Sequence, residues 1–361
     1  MMSDLNEMRD KIDAIDSNLV KLLNERAKVV VEVGEYKRKT NGAPPIYAPD
    51  RERAVLDKIK RNNTGPLPNK TLVAVYRELM SGSFFLERPL RIAFLGPEGS
   101  YSHQAAIHKF GKSVEHLPQA DIKAVFEEID RQHCDLGIVP VENSIGGGVI
   151  DTLDSFINSS VSICAELLVA IHHNLLAKCS LDKVKRIYSK PEAINQCRNW
   201  IASNFDRDIE IIHSGSTAQA AKQVMNEEFS AAVGSKLAGE LYDLKLVCEN
   251  IEDTSNNVTR FLVIGREPSG RTGNDKTGLL FSTADKAGAL VDVLLAFRDN
   301  GVNLKNIESR PSRRRASAYN FFADAQGHYT DENMITAIEC ARDHCLQLSV
   351  LGSFPIATEV V

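Results

Sequence analysis

The sequence predicts a multidomain protein: an all-α unit of three helices, an α/β layer unit, and an α+β unit of ferredoxin-like order. Three observations carry this. A chain of 361 residues exceeds one ordinary domain. At Arg91 the texture changes from long helical periodicity to short apolar strands entering glycine turns. The stretch from Arg266 to Asp275, rich in Gly and polar residues, then reads as a linker before βαββαβ patterning. The boundaries expected are 1–88, 91–265 and 276–361.

In the first unit, apolar residues recur at Met8, Ile12, Ile15, Leu19, Leu22, Leu23, Val29, Val30 and Val33 without an internal proline. That spacing predicts one helix over 3–39. Asn41-Gly42-Ala43-Pro44-Pro45 breaks it. Pro49 suits a first helical turn, with Asp50 and Glu52 beside the positive helix end. The turn cluster from Asn62 to Pro68 precedes a third helix over 70–87. A first helix of about 37 residues is long for a lone unit and predicts pairing with a second copy, as a homodimer or higher homo-oligomer. In the second unit, strands are expected at 92–95, 136–139, 162–168, 186–189, 231–234 and 260–264. In the third, strands are expected at 277–283, 302–309, 318–324 and 346–351, with helices at 287–300 and 332–344.

Composition excludes several classes. The chain is 43% hydrophobic and 25% charged, with a formal charge of −5, so nothing draws it globally to nucleic acid or an anionic membrane. No apolar run approaches the roughly 20 residues of a membrane helix, and the acidic N-terminus lacks a signal-peptide core. Seven cysteines without a C-x-x-C pair fit reduced thiols. The expected location is cytoplasmic. His172 and His173 are adjacent, and in a strand they would face opposite ways, so no metal site is expected.

Arg26 and Lys37 lie three helical turns apart, about 16 Å along the axis and on one face. Their side chains can converge on a small anion. Arg9 is about 26 Å from Arg26 and roughly 100° off that face, so it can join the same pocket only from a second chain. Ser83 and Glu87 share a face of the third helix; Arg51 and Glu52 open the second. With Met8-Arg9-Asp10-Lys11-Ile12-Asp13-Ala14-Ile15-Asp16, Glu25-Arg26, Val33-Gly34-Glu35-Tyr36-Lys37 and Asp50-Arg51-Glu52-Arg53, this unit resembles the all-helical chorismate mutase family. The resemblance implies that Arg26 and a partner-chain Arg9 bind the substrate carboxylates. It implies that Lys37 and Glu87 donate to the breaking ether oxygen, and that Glu52 holds the hydroxyl. No cofactor is implied. Many family members carry Arg-Asp where this chain has Tyr47-Ala48, and Gln where it has Glu87. A carboxylate must be protonated to donate, so mutase activity is expected to rise toward acid pH and Glu87→Gln to flatten that rise.

Gly96-Pro97-Glu98-Gly99-Ser100-Tyr101-Ser102 leads into a helix start, where backbone N–H groups can hold an anion. Pro140-Val141-Glu142-Asn143-Ser144 ends an apolar strand and runs into Gly146-Gly147-Gly148. Thr259-Arg260-Phe261 sets a hydroxyl and a guanidinium before a buried strand. Together these resemble prephenate dehydratase, whose fold implies a two-lobed, periplasmic-binding-protein-like α/β architecture. The resemblance puts Thr259 at the departing hydroxyl, with Glu142, Asn143, Ser144, Ser189, Gln196, Ser216, Thr217, Arg260 and Phe261 around the pocket. The proton is expected to come through Glu142 or water.

Lys286-Ala287-Gly288-Ala289-Leu290-Val291 and Glu308-Ser309-Arg310-Pro311 resemble the ACT domain. That resemblance implies a phenylalanine site at a dimer interface, built from Gly288, Ala289, Leu290, Val291, Asn303, Glu308, Ser309, Arg310 and Pro311. Ala287 stands where Pro is usual, and Ser317 where Trp often follows the strand. Arg313-Arg314-Arg315 reads as a solvated turn. The order of the three resemblances is that of the family fusing the two enzymes of phenylalanine biosynthesis, with chorismate and prephenate as substrates and L-phenylalanine as effector. The alternatives are a dehydratase whose mutase arm serves only dimerisation, a prephenate decarboxylase, and a non-enzymatic amino-acid sensor.

Overall fold

Three helices open the chain: α1 (Met2–Asn41), α2 (Pro49–Asn62) and α3 (Asn69–Glu87). The computed structural model describes residues 2–41, 47–311 and 319–361, with backbone alone at 2–4, 41 and 87. Arg313-Arg314-Arg315 and Ser317 therefore lie outside the described residues. α2 carries Pro49 in its first turn with Asp50 and Glu52, and Lys60 and Arg61 in its last, a charge order that complements the helix dipole. α1 is covered only along its second half. Met8, Ile12, Ile15, Leu19 and Leu22 are each half or more exposed, an apolar stripe left uncovered by the described residues of this chain.

The α/β region consists of two lobes. The first contains β1 (Arg91–Leu95), α4 (Tyr101–Phe110), β2 (Glu115–Gln119), α5 (Ile122–Asp130), β3 (Leu136–Asn143), β4 (Gly147–Gly148), α6 (Ile150–Phe156) and β5 (Ser162–Ala170). The second contains β6 (Asn174–Ala177), β7 (Arg186–Ser189), α7 (Pro191–Gln196), α8 (Arg198–Asn204), β8 (Glu210–His213), α9 (Thr217–Val224), β9 (Ser230–Gly234), α10 (Lys236–Leu241) and β10 (Lys245–Cys248). The chain then returns, and β11 (Val258–Gly265) inserts antiparallel between β3 and β5, giving β2-β1-β3-β11-β5 beside β10-β6-β9-β7-β8. The two crossings pair with each other: Ile171 donates to Asn257 and Ile251 to His173 through the backbone. His172 and His173 thus sit in a hinge rather than in a strand as expected. His172 meets Glu252 at 2.7 Å.

Every strand expected here forms. β2, β4, β6, β8 and β10 form in addition. β2, Glu115-His116-Leu117-Pro118-Gln119, is a polar edge strand whose proline obscures it. β6 is a four-residue buried run, too short for periodicity to resolve.

The last layer is β12 (Asp275–Thr283), α11 (Ala289–Asp299), β13 (Leu304–Pro311), β14 (Tyr319–Gln326), α12 (Glu332–Arg342) and β15 (Gln347–Pro355), in the antiparallel order β13-β14-β12-β15. α11 begins two residues later than expected, because Gly288 caps it at φ +84°. Leu279 and Phe281 face the two helices. Leu280, Phe322, Leu351 and Phe354 pack instead on Phe156, Ile163 and Ile264 of the first lobe. At about 1.5–3 kcal/mol per buried side chain of this size, the sheet is firmly packed on the first lobe of the α/β region. Residues 266–274 are correspondingly no loose tether. Asp275 accepts from Thr272 N, Thr272 Oγ1 and Gly273 N, and the Ser269 carbonyl meets His328.

Candidate active sites

Between α1, α2 and α3 lies a cavity of about 540 Å³ lined by Arg26, Lys37, Arg51, Glu52 and Ser83 among apolar residues such as Val30, Val33 and Met80. Helical spacing puts Arg26 and Lys37 on the same wall, and Arg26 Nη1 donates to Ser83 Oγ at 2.9 Å. Ser83 in turn donates to the Leu79 carbonyl at 2.7 Å, so its hydroxyl is oriented from both sides. Glu52 Oε2 accepts from Tyr47 Oη at 2.9 Å and from Lys109 Nζ at 2.8 Å. The arrangement is three cations and one carboxylate in a partly apolar hollow, suited to a small dianion. Arg9 lies far along the exposed half of α1 and does not line the cavity. The side chain of Glu87 lies outside the described residues.

In the α/β region, Asn143 and Thr259 face each other across the β3–β11 pair. Asn143 Nδ2 donates to Thr259 Oγ1 at 2.8 Å and to Asn257 Oδ1 at 2.7 Å, while its Oδ1 accepts from Ile145 N and Gly146 N. Both amide hydrogens are thereby used, and Thr259, itself buried, keeps its own hydroxyl hydrogen to give. The network crosses to the second lobe. Asn257 donates to Gln196 Oε1 at 3.0 Å, His173 Nε2 meets the same oxygen at 2.8 Å, and His173 Nδ1 meets Tyr101 Oη at 2.8 Å. Burial lowers the pKa of His173 below the ordinary histidine value, outweighing the Gln196 bond, so a neutral ring bridges the lobes with Nε2–H toward Gln196. Asn257 and Tyr101 were not singled out as site residues by sequence, and His173 was considered only to set aside a metal role. Tyr101 stood inside a recognised glycine-turn stretch, but Asn257 and His173 carry no local signal, since only the hinge brings them to Thr259.

Several expected positions differ. Residues opposite each other in an antiparallel pair share a face, and neighbours along a strand do not. Arg260 and Glu142 are paired in register, so both face away from Thr259. Glu142 therefore does not converge with Thr259 on one cleft, and it is not placed to carry the proton. Arg260 is buried against Glu166 at 2.8 Å and Asp324 at 2.5 Å, with Lys276 also 2.8 Å from Glu166; it binds the last sheet rather than a substrate. Phe261 is a core residue. Ser144 is held by Asn256 and Val258, and the fully buried Ser189 donates to the Val233 carbonyl. Ser216 caps α9, with Thr217 its first residue. The glycine turn at 96–99 is not an open anion site either. Gly99 N donates to His103 Nδ1, and Ser235 donates to the Gly99 carbonyl at 2.7 Å. Burial, helped by His116, lowers His103 to about 4, which keeps that nitrogen an acceptor.

In the last layer, Gly288 and Asn303 lie at opposite ends of α11, about 16 Å apart along its axis. One chain does not bring them together. Asn303 lines a separate hollow with Gly301, Gln326 and Gly327. Ala289 is buried, Leu290 packs against the helix-side core and Val291 is exposed. On β13, Ser309 and Pro311 point outward, whereas Glu308 and Arg310 turn toward the first lobe. Arg310 approaches Asp154 at 3.7 Å, and Glu308 occupies space that a Cβ on Gly148 would need. The expected effector residues Glu308 and Arg310 thus contact the catalytic region, because alternation along the strand splits the motif between two faces.

With this geometry in hand, the chain can be compared with known proteins. The pattern of the family described as chorismate mutase type II matches residues 8–88, and that described as prephenate dehydratase matches residues 92–269. The chain is similar to the bifunctional chorismate mutase/prephenate dehydratase of Aquifex aeolicus, 41% identical over 361 residues and covering 99% of both chains. It is equally close to the protein of that name from Pseudomonas aeruginosa, 41% identical over 98% of each. Among solved structures, a prephenate dehydratase from Arthrobacter aurescens in complex with L-Phe is 31% identical, with a TM-score of 0.69, covering 74% of this chain and 90% of that one. Near-complete coverage, two family patterns in one order, and a cationic cavity followed by a threonine-centred network agree: the chain belongs to the bifunctional chorismate mutase/prephenate dehydratase family.

Proposed function

We propose that the two reactions are divided between the two sites just described, chorismate to prephenate in the helical cavity and prephenate to phenylpyruvate at Thr259. The first is a pericyclic rearrangement, which needs neither nucleophile nor cofactor, only a fixed conformer and charge placed against the developing oxyanion. The cavity that unites Arg26, Lys37, Arg51, Glu52 and Ser83 supports an active mutase over a mere dimerisation arm. Arg9 serves the cavity of a second copy, whose α1 covers the apolar stripe; the exposed residues of that stripe support a homodimer. In the second reaction carbon dioxide and hydroxide leave as a ring becomes aromatic, so the protein need only assist the departing hydroxyl. The single observation carrying this assignment is that Asn143 spends both amide hydrogens on Asn257 and Thr259, leaving the threonine hydrogen for the leaving oxygen. With Glu142 facing away, water completes the proton transfer.

The last layer, residues 276–361, is the ACT domain, following a mutase domain at 1–88 and a dehydratase domain at 91–265. Its βαββαβ order supports this, and the L-Phe complex of the Arthrobacter enzyme supports phenylalanine as the effector. The effector stretches at either end of α11 converge only across two copies. All seven cysteines are unpaired and no helix among the described residues is long and apolar enough to cross a membrane, which supports a cytoplasmic enzyme. The test is one assay on chorismate, with and without phenylalanine. Phenylpyruvate that declines with added phenylalanine is expected. Accumulated prephenate would sink the Thr259 assignment, and untouched chorismate would sink that of the cavity.

A further inference from the structure

Glu52 stands in a wall shared by two hollows. One face lines the mutase cavity, and the other lines the junction where α2 meets α4, β5 and the chain segment after β15. The cation that reaches it through that junction is Lys109, in the last turn of α4 and therefore part of the dehydratase region. The Lys109 Nζ–Glu52 Oε2 distance is 2.8 Å, and the two side chains are only 19% and 14% exposed. Tyr47 donates to the same oxygen at 2.9 Å. Its ring is buried edge-on against Phe110 of α4 and Phe84 of α3, and Lys109 Nζ lies 5.7 Å from its centroid. Burial first, and Glu52 second, raise the Tyr47 pKa well above its ordinary value, so the phenol stays a donor. Both described bonds fall on Oε2, and Oε1 makes none among the described residues.

We propose that Lys109 is a positioning residue of the mutase site, supplied by the dehydratase region: together with Tyr47 it fixes Glu52 and offsets its charge, leaving Oε1 for the substrate hydroxyl. An unpaired Glu52 would weaken a cavity that must attract a dianion, and a long carboxylate held by one neutral hydrogen bond would sample several rotamers. A charge-assisted bond to a second, partly buried donor removes both faults. The site is thus completed across a region boundary: Tyr47, seated between α3 and α4, supplies a neutral donor, and the cation arrives from α4.

This rests on the mutase reading of the cavity, and the test separates the two. In the full chain, Lys109→Met is expected to lower mutase kcat/KM by roughly ten- to hundredfold, while dehydratase turnover of supplied prephenate stays within about twofold of wild type. Lys109→Arg should recover most of the loss. In the Glu52→Gln background, Lys109→Met should cost little further, because its effect runs through Glu52. An unchanged mutase rate in Lys109→Met, fully additive losses in the double variant, or a parallel fall of both activities would each overturn the inference, the last because it marks a pair that only holds the regions together. A wild-type chain unable to rearrange chorismate would overturn the reading of the cavity itself.

Discussion

The helical cavity and the Thr259 network solve opposite problems. The first gathers formal charges, Arg26, Lys37, Arg51 and Glu52, on rigid helices around a hollow. The second contains no formal charge: Asn143, Asn257, Gln196, a neutral His173 and Tyr101 form a relay of hydrogen bonds that ends on one hydroxyl. The difference follows the chemistry. A rearrangement that moves electron density onto an ether oxygen benefits from fixed charge. A fragmentation driven by aromatisation requires only that one proton be offered in the right direction. Charged sites announce themselves by residue type, whereas neutral relays depend on geometry that no single residue reveals.

The sharpest way to break this comparison is Thr259→Ala. Loss of the donor should lower dehydratase kcat about 10²- to 10⁴-fold with the mutase rate unchanged, read as prephenate accumulating from chorismate. If phenylpyruvate still formed at the wild-type rate, the relay would have no chemical purpose. Arg26→Ala is the mirror experiment. Mutase kcat/KM should fall about 10²- to 10³-fold while supplied prephenate is still consumed, and equal damage to both steps would show the sites are not separate. A smaller effect is expected where Glu308 meets the glycines. Gly148→Ala forces a methyl into the carboxylate's space, at a cost of about 1–3 kcal/mol, and should blunt phenylalanine inhibition while leaving uninhibited turnover near normal. Restoration by the added change Glu308→Ala would identify the clash as the cause; a wild-type inhibition curve would dismiss it.

The smallest effect concerns pH. Burial, and then nearby Glu142, raise the Glu308 pKa above the ordinary glutamate value. The folded state therefore holds that proton more tightly than the unfolded chain. Its stabilising contribution is complete below the usual glutamate range and is lost as pH rises through the raised value. Glu308→Gln should remove this slope, visible as a change of about a degree in the thermal midpoint between acid and neutral buffer. An identical slope in both proteins would assign it elsewhere.

The sequence made the charged half legible. Arg26 and Lys37 were readable from helical spacing, which puts both cations on one face, while Arg51, Glu52 and Ser83 came from the family resemblance; all five line the cavity. Thr259 and Asn143 stood out as polar residues at strand ends, and the dehydratase resemblance gave them a place in the site. The place of their neighbours was not legible: Glu142 and Arg260 sit one residue away, and alternation along a strand sends them to the opposite face. Gln196 was singled out, yet its partners His173 and Asn257 reach it only through the hinge, which joins segments more than 20 residues apart. The same rule divided Glu308 and Arg310 from Ser309 and Pro311. Long helices and the longer buried strands were legible from sequence, while the edge strands β2, β8 and β10 and the short interior strand β6 were not.

The contact of α4 with the first helices bears on dissection of the chain. A fragment ending before β1 would retain every side chain that lines the helical hollow. It would lack Phe110, against which Tyr47 is seated, and the ammonium group that steadies Glu52. Such a fragment is expected to fold with an under-held carboxylate and to work poorly for a reason invisible in its own residues. Kinetic constants measured on an excised piece would then describe the cut rather than the enzyme.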